Sequence, residues 1–196
     1  MREKPSSASR RLLACIGFGL ALMALSASQP CSASEYELEV IKSKRLLLVK
    51  KGPKVERRFF ISIGRGGSGA KSRRGDRKTP LGEYRIVDFN ENSQFYYFMQ
   101  LDYPSIRDAF WGLKNRVISR RDFDRIVFAH RFHEIPPQHT ALGGLIGIHG
   151  LGSMTAERLR IHDSLDWTQG CVALTNQEIN ELRHYVDRGT RVVISE

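Results

Sequence analysis

The chain has 196 residues, with 31 Lys and Arg against 21 Asp and Glu, a formal net charge of +10. That length suits one domain with a real core, and the absence of internal repeats and low-complexity tracts excludes a solenoid or a fibrous or disordered chain. A basic balance in a cytosolic protein would suggest nucleic acid; in an exported one it suggests an anionic envelope surface, and a solvated basic face with no specific partner is the plain alternative.

The N-terminus favours export. Arg2, Lys4, Arg10 and Arg11 precede an apolar run from Leu12 to Leu25, too short for a comfortable membrane span and suited to a secretory leader. Small residues follow, so residues 1–34 are expected to be a signal peptide cleaved between about 28 and 34. The leader's four basic residues and Glu3 account for +3, leaving +7 on residues 35–196. Cleavage after Cys31 would leave Cys171 as the last thiol, and a lone thiol kept in an oxidising compartment is a candidate reactive group.

Beyond the leader, Tyr36, Leu38 and Val40 alternate with Glu35, Glu37 and Glu39, a strand pattern. RLLLVK (45–50) and VERRFFISI (55–63), separated by Gly52-Pro53, predict a hairpin. Residues 64–80 read as a long basic, glycine-rich loop, and GEYRIV (82–87) and FYYFMQL (95–101) as further strands. A helix is expected over 104–115. A second opens at Ser119, with Asp122 three residues on and Phe123, Ile126 and Val127 on one face. Residues 133–144 predict a loop, 145–149 a short buried strand, and 150–170 another long loop of the functional kind. Thr175 with Glu178 forms a capping box for a helix that Gly189 closes, and RVVIS (191–195) is a last strand. The sum is a mostly β, α+β fold.

Two motifs are decoys. GRGGSGAKS (64–72) resembles a phosphate-binding loop, but Ala70 breaks the spacing and Arg73-Arg74-Gly75-Asp76 follows where a helix is required. His130, His133 and His139 lack acidic or cysteine ligands at characteristic spacing, so no metal is expected.

The chemistry centres on His149-Gly150 and Gln169-Gly170-Cys171. A thiol is a poor nucleophile until an imidazole or a helix N-terminus favours its thiolate. His149 and the helix opening near Asn176 are both possible sources. A thiol so paired should alkylate rapidly at neutral pH. Gln169, Gly170 and Cys171 can present successive N–H groups to an oxyanion, with Gly170 allowing the turn. On the residues alone, Cys171 is either this nucleophile or a buried apolar filler.

IHG (148–150) followed by TQGCVALTN (168–176), with GDRKTPLGEYRI (75–86) and KSKRLLLVKKGPKVERRFFISIG (42–64) upstream, resembles the YkuD-type L,D-transpeptidase family, and DWT (166–168) resembles one branch of it. The resemblance spans nearly all of residues 35–196, least so near 104–132. It implies a single sandwich-like or barrel-like catalytic domain over 35–196. Cys171 is cast as the nucleophile toward a peptidoglycan stem peptide, His149 as the base and the Gly150 carbonyl as its holder. It also implies substrate contacts from Arg74, Asp76, Thr79, His162, Trp167 and Thr168. No cofactor is implied. Stem peptides are the expected partner, with no nucleic acid, membrane contact only transient through the signal peptide, and a monomer working in the periplasm or outer envelope. Two positions depart from the usual signature: Gln169 replaces a second histidine, and Ala173 replaces an arginine suited to a substrate carboxylate. Arg73, Arg74, Arg77 and Lys78 are candidates to restore that charge. Transfer to an amine and hydrolysis of the same peptides both remain open. A sortase-like site using Arg191, a papain-like order using His184, and a non-catalytic wall-binding module fit less well.

Overall fold

The computed structural model describes residues 34–196, so the expected leader and nearly all of its expected cleavage window lie outside the described residues. Among the described residues eight strands are formed: β1 (Glu37–Ile41), β2 (Leu46–Lys51), β3 (Lys54–Phe60), β4 (Gly82–Ser93), β5 (Tyr96–Leu101), β6 (Gly147–His149), β7 (Val172–Ala173) and β8 (Arg191–Ser195). Four helices accompany them: α1 (Ile106–Lys114), α2 (Arg120–Arg131), α3 (Ala156–Ser164) and α4 (Asn176–Leu182).

The strands make one mixed sheet in the order β3-β2-β1-β8-β4-β5-β6-β7. The first and last described strands meet near its centre, where β1 and β8 run parallel with Leu38 opposite Val192 and Val40 opposite Ile194. All four side chains are buried, as the period-two alternation requires. β4 is longer than the sequence suggests. Its first residues pair with β8 and its remainder with β5, with a register break between Ile86 and Asp88. Such a bulge bends the strand and raises its twist, which turns the second half of the sheet over the first.

Closure comes from a pair of bonds at the sheet's edges. Ser62 N–H donates to Ala173 O at 3.0 Å and Ala173 N–H to Ser62 O at 2.8 Å, joining the end of the β3 hairpin to β7. The barrel-like expectation is thereby met, and the loops on either side of β7 are drawn against residues 62–80.

The expected caps form. Ser119 accepts from Asp122 N–H, and Thr175 and Glu178 make a reciprocal capping box. Two helical expectations are corrected. The 150–170 loop contains α3, capped by Thr155. Of its residues only His162 is buried, so it carries no apolar stripe to read. Arg45 holds its end instead, donating to the carbonyls of His162 (2.6 Å) and Asp163 (2.9 Å). The last helix stops at Leu182 rather than running to Gly189; a single tighter turn, Arg183–Tyr185, follows, and Val186 is extended.

Candidate active site

β6 is buried throughout and pairs in parallel with β7, Ile148 opposite Val172 and His149 opposite Ala173. One step back, Gly147 lies beside Cys171. With a period of two, His149 and Cys171 project to the same face of adjacent strands, two residues apart along them.

His149 is 1% exposed. Its Nδ1 lies 2.7 Å from the Gly150 carbonyl oxygen. A carbonyl only accepts, so Nδ1 carries the proton and Nε2 presents its lone pair. The ring is clamped by Phe95, stacked at 4.3 Å, with the edge of Trp167 at 6.0 Å. Burial drives the imidazole down to about 4, against the Gly150 bond and with a smaller push from His162. It therefore stays neutral across the physiological range.

Cys171 is the free cysteine among the described residues and is half-buried. Its Sγ–H donates to the Leu145 carbonyl at 3.4 Å. Burial raises the thiol to about 11, opposed by the Gly147 amide and the charge of Lys71. Both shifts favour a neutral thiol beside a neutral imidazole at rest. β7 separates Cys171 from α4, and the start of α4 grips the other strand's loop: Asn176 Oδ1 accepts from Leu151 N–H (2.9 Å) and Gly152 N–H (3.1 Å), and its Nδ2 donates to Gly152 O (2.8 Å).

The turn before Cys171 is built on Thr168 and Gly170. Thr168, 3% exposed, donates from Oγ1 to Cys171 O at 2.7 Å and accepts from Gly170 N–H at 3.1 Å. Gly170 has φ +136°, and a Cβ there would lie 2.9 Å from Lys78 O and 3.0 Å from Ile146 Cδ1. Only glycine fits both the backbone and the space. With its N–H engaged by Thr168, Gly170 is not a free oxyanion donor; Gln169 is exposed on the turn.

The cleft at Cys171 has a volume of about 380 Å³ and is lined by β4, β5 and the turn between them, including Asp88, Asn90, Gln94, Phe98 and Gln100, with Leu145. Neither lysine nor arginine lines it. Besides Thr168, four of the expected substrate contacts are engaged within the domain. Asp76 accepts from Lys71 Nζ (2.7 Å) and from the N–H groups of Ser72 (2.7 Å), Arg73 (3.0 Å) and Lys78 (3.1 Å), which hold its carboxyl below the usual range against a burial penalty. Thr79 is fully buried and accepts from Gly64 N–H at 2.8 Å. His162 lies on α3, not in an open loop, with Nδ1 3.0 Å from the buried Ser62 Oγ. Arg74 is drawn to the 140s loop, donating to Thr140 O at 2.9 Å. Trp167, by contrast, stands beside His149, and its indole N–H has no partner among the described residues.

Sequence reasoning overlooked Lys71, Phe95, Phe98 and Asn176. The aromatic run at 95–98 and the Asn five residues after the cysteine were visible, but nothing local says they face His149 or its loop. The histidine trio is dispersed, His130 Nε2–H donating to Pro104 O at 2.9 Å. Among the described residues no three His, Cys, Asp or Glu side chains are grouped to hold a metal ion.

A family model for the L,D-transpeptidase catalytic domain, YkuD, matches residues 35–194. Among solved structures, the chain is similar to the helical cell shape determining protein Pgp2 of Campylobacter jejuni, with 23% identity, a TM-score of 0.52, and coverage of 84% of this chain and 49% of that one. Bd1075 of Bdellovibrio bacteriovorus gives 20% identity and a TM-score of 0.52 over 85% of this chain and 50% of that one. An L,D-transpeptidase from Xylanimonas cellulosilytica gives 19% and 0.47 over 85% and 63%. At these identities the likeness is one of fold, and the chain spans about half to somewhat under two thirds of those structures. No curated protein matches it.

Proposed function

The chain belongs to the YkuD family of L,D-transpeptidase catalytic domains, and on that premise we propose that it is an exported cysteine acyltransferase of the cell envelope acting on peptidoglycan stem peptides. The observation that carries this reading is the fixed tautomer of His149, whose Nε2 lone pair is presented on the sheet face that also bears Cys171. As Sγ adds to the carbonyl carbon of an L-centre, its proton passes to Nε2. The tetrahedral intermediate expels the amine, which takes that proton from the imidazolium and leaves a thioester on Cys171. An amine of a second stem peptide then attacks, yields its proton to Nε2, and releases the product as the thiol is restored. The Gly150 carbonyl keeps Nε2 as the working nitrogen throughout. The Cys171 N–H is the oxyanion donor in this scheme, because that of Gly170 is taken by Thr168.

Water in place of the second amine makes the same machinery a hydrolase, and the lining of the cleft bears on the acyl donor that either branch accepts. No cation lines the Cys171 cleft, Ala173 is fully buried in β7, and Arg74 is held at Thr140. A cleft of amide side chains suits an internal amide better than a peptide ending in a free carboxylate. Two measurements test the proposal. Mass spectrometry after exposure to a carbapenem should find one adduct, on Cys171. Product analysis on stem-peptide dimers and monomers separates transfer from hydrolysis. An unmodified Cys171 together with inert stem peptides would overturn the acyl-enzyme reading.

A further inference from the structure

α2, which packs against α1, shows solvent a face that a surface helix normally reserves for charge alone. Its inner side is set by buried Ile126 and Ala129, with Phe123, Val127 and His130 half-buried. At about 100° per residue, Arg121, Arg125, Phe128 and Phe132 fall within about 60° of one another on the opposite side. Phe128 and Phe132 are 54% and 55% exposed, and their rings lie 4.4 Å apart. Alongside them runs a groove of about 720 Å³, floored by Phe128, Ala129, Ile135 and Pro137 and rimmed by Arg121 and Arg125. Ile135 extends the apolar strip beyond the helix, 44% exposed.

We infer that this face of α2 rests on an anionic lipid surface. Arg121 and Arg125 have no ion-pair partner among the described residues. Asp124 is held by Arg120 at 2.8 Å, which leaves Glu134 as the uncommitted acid of the groove. Guanidinium groups for phosphate and phenylalanine rings for the boundary of the acyl chains, on one helical face, are the complement of a negatively charged bilayer surface. The stripe is also narrow, two side chains across, which suits shallow insertion at an interface rather than a wide protein contact. This contact is additional to any made by the leader and independent of the thiol chemistry. It would hold the domain in a set orientation to the membrane.

The apolar run of the leader can bind vesicles by itself, so the test reads α2 directly in the full chain. Phe128→Trp places a reporter on the stripe, and Phe60→Trp places one at a 74% exposed aromatic on β3; the wild type supplies the background of Trp111 and Trp167. With phosphatidylcholine vesicles containing phosphatidylglycerol, Phe128→Trp emission should shift to the blue and be quenched by brominated acyl chains. Pure phosphatidylcholine, high salt and the Phe60→Trp site should show neither effect. Adding Arg121→Gln and Arg125→Gln should weaken the vesicle affinity of that signal about 30-fold, roughly fivefold per basic side chain near the surface. Unchanged Phe128→Trp emission with anionic vesicles overturns the inference, as does an equal response at Phe60→Trp. Self-association that depends on Phe128 and Phe132 without lipid would assign the face to a second copy and refute the lipid contact.

Discussion

Replacing Thr168 with valine removes one oxygen and keeps the shape, so it isolates what that hydroxyl does. Thr168 Oγ1 donates to Cys171 O at 2.7 Å and accepts from Gly170 N–H at 3.1 Å, and the residue is 3% exposed. Valine leaves both backbone groups buried without their partner. A buried donor or acceptor left unmade costs about 1–3 kcal/mol, so the pair, of which the bond to Cys171 O is only part-buried, should cost roughly 2–4 kcal/mol, out of a total stability of about 5–15 kcal/mol. The variant should therefore fold, with a Tm lower by roughly 5–15 °C for a domain of this size. Catalysis should suffer separately, because the same bonds set the turn that carries Sγ, and a displacement of about 1 Å at a reacting atom costs on the order of 100-fold. Urea unfolding and turnover on stem peptides measure the two effects. Thr168→Ser, which restores the oxygen, should recover most of both. If Thr168→Val unfolds within about 0.5 kcal/mol of wild type and turns over normally, the turn is held by something other than this hydroxyl and the reasoning fails.

Cys171→Ser should abolish turnover while leaving the unfolding curve close to wild type; a serine variant at wild-type rate would exclude the thiol as nucleophile. His149→Gln should lower turnover by roughly two to four orders of magnitude, and alkylation of Cys171 at pH 7 should be slow in both wild type and variant, since burial already holds the thiol near 11; fast wild-type alkylation would show the thiolate to be the resting form. The folded pKa of His149 lies below its unfolded value, about 4 against 6.5, so on acidification the unfolded chain takes up the proton first. Stability should be full above about pH 6.5 and fall by up to about 3 kcal/mol as the pH drops to 4, a limb that His149→Gln should flatten; an unchanged slope would refute the buried neutral imidazole. Cys171 behaves in the opposite sense, its folded pKa of about 11 lying above 9.0, so stability should decline between pH 9 and 11 and Cys171→Ala should remove that decline. Asp76→Asn should destabilise by about 3–5 kcal/mol, because Lys71 would lose its partner where the two side chains are 4% and 9% exposed; a loss of substrate affinity with no loss of stability would return Asp76 to substrate contact.

The features legible in the sequence were those written in neighbouring residues. Alternation marked β1, Ser119 with Asp122 and Thr175 with Glu178 marked helix starts, and Gly170 before Cys171 marked a turn ahead of a candidate nucleophile, because a strand's faces, a cap and a turn are decided within a few residues. α3 escaped that reading because it buries only His162 and depends on Arg45, more than a hundred residues away. The tertiary structure decided the rest. Which face His149 shares with Cys171 follows from the β6–β7 register, and the register follows from closure of the sheet through Ser62 and Ala173. Asp76 turned inward because Lys71 and three backbone amides converge on it. The neutral state of the thiol and imidazole is set by how deeply the fold encloses them. Ionisation depends on the cost of taking a charge out of water, and that cost belongs to the packing of distant segments.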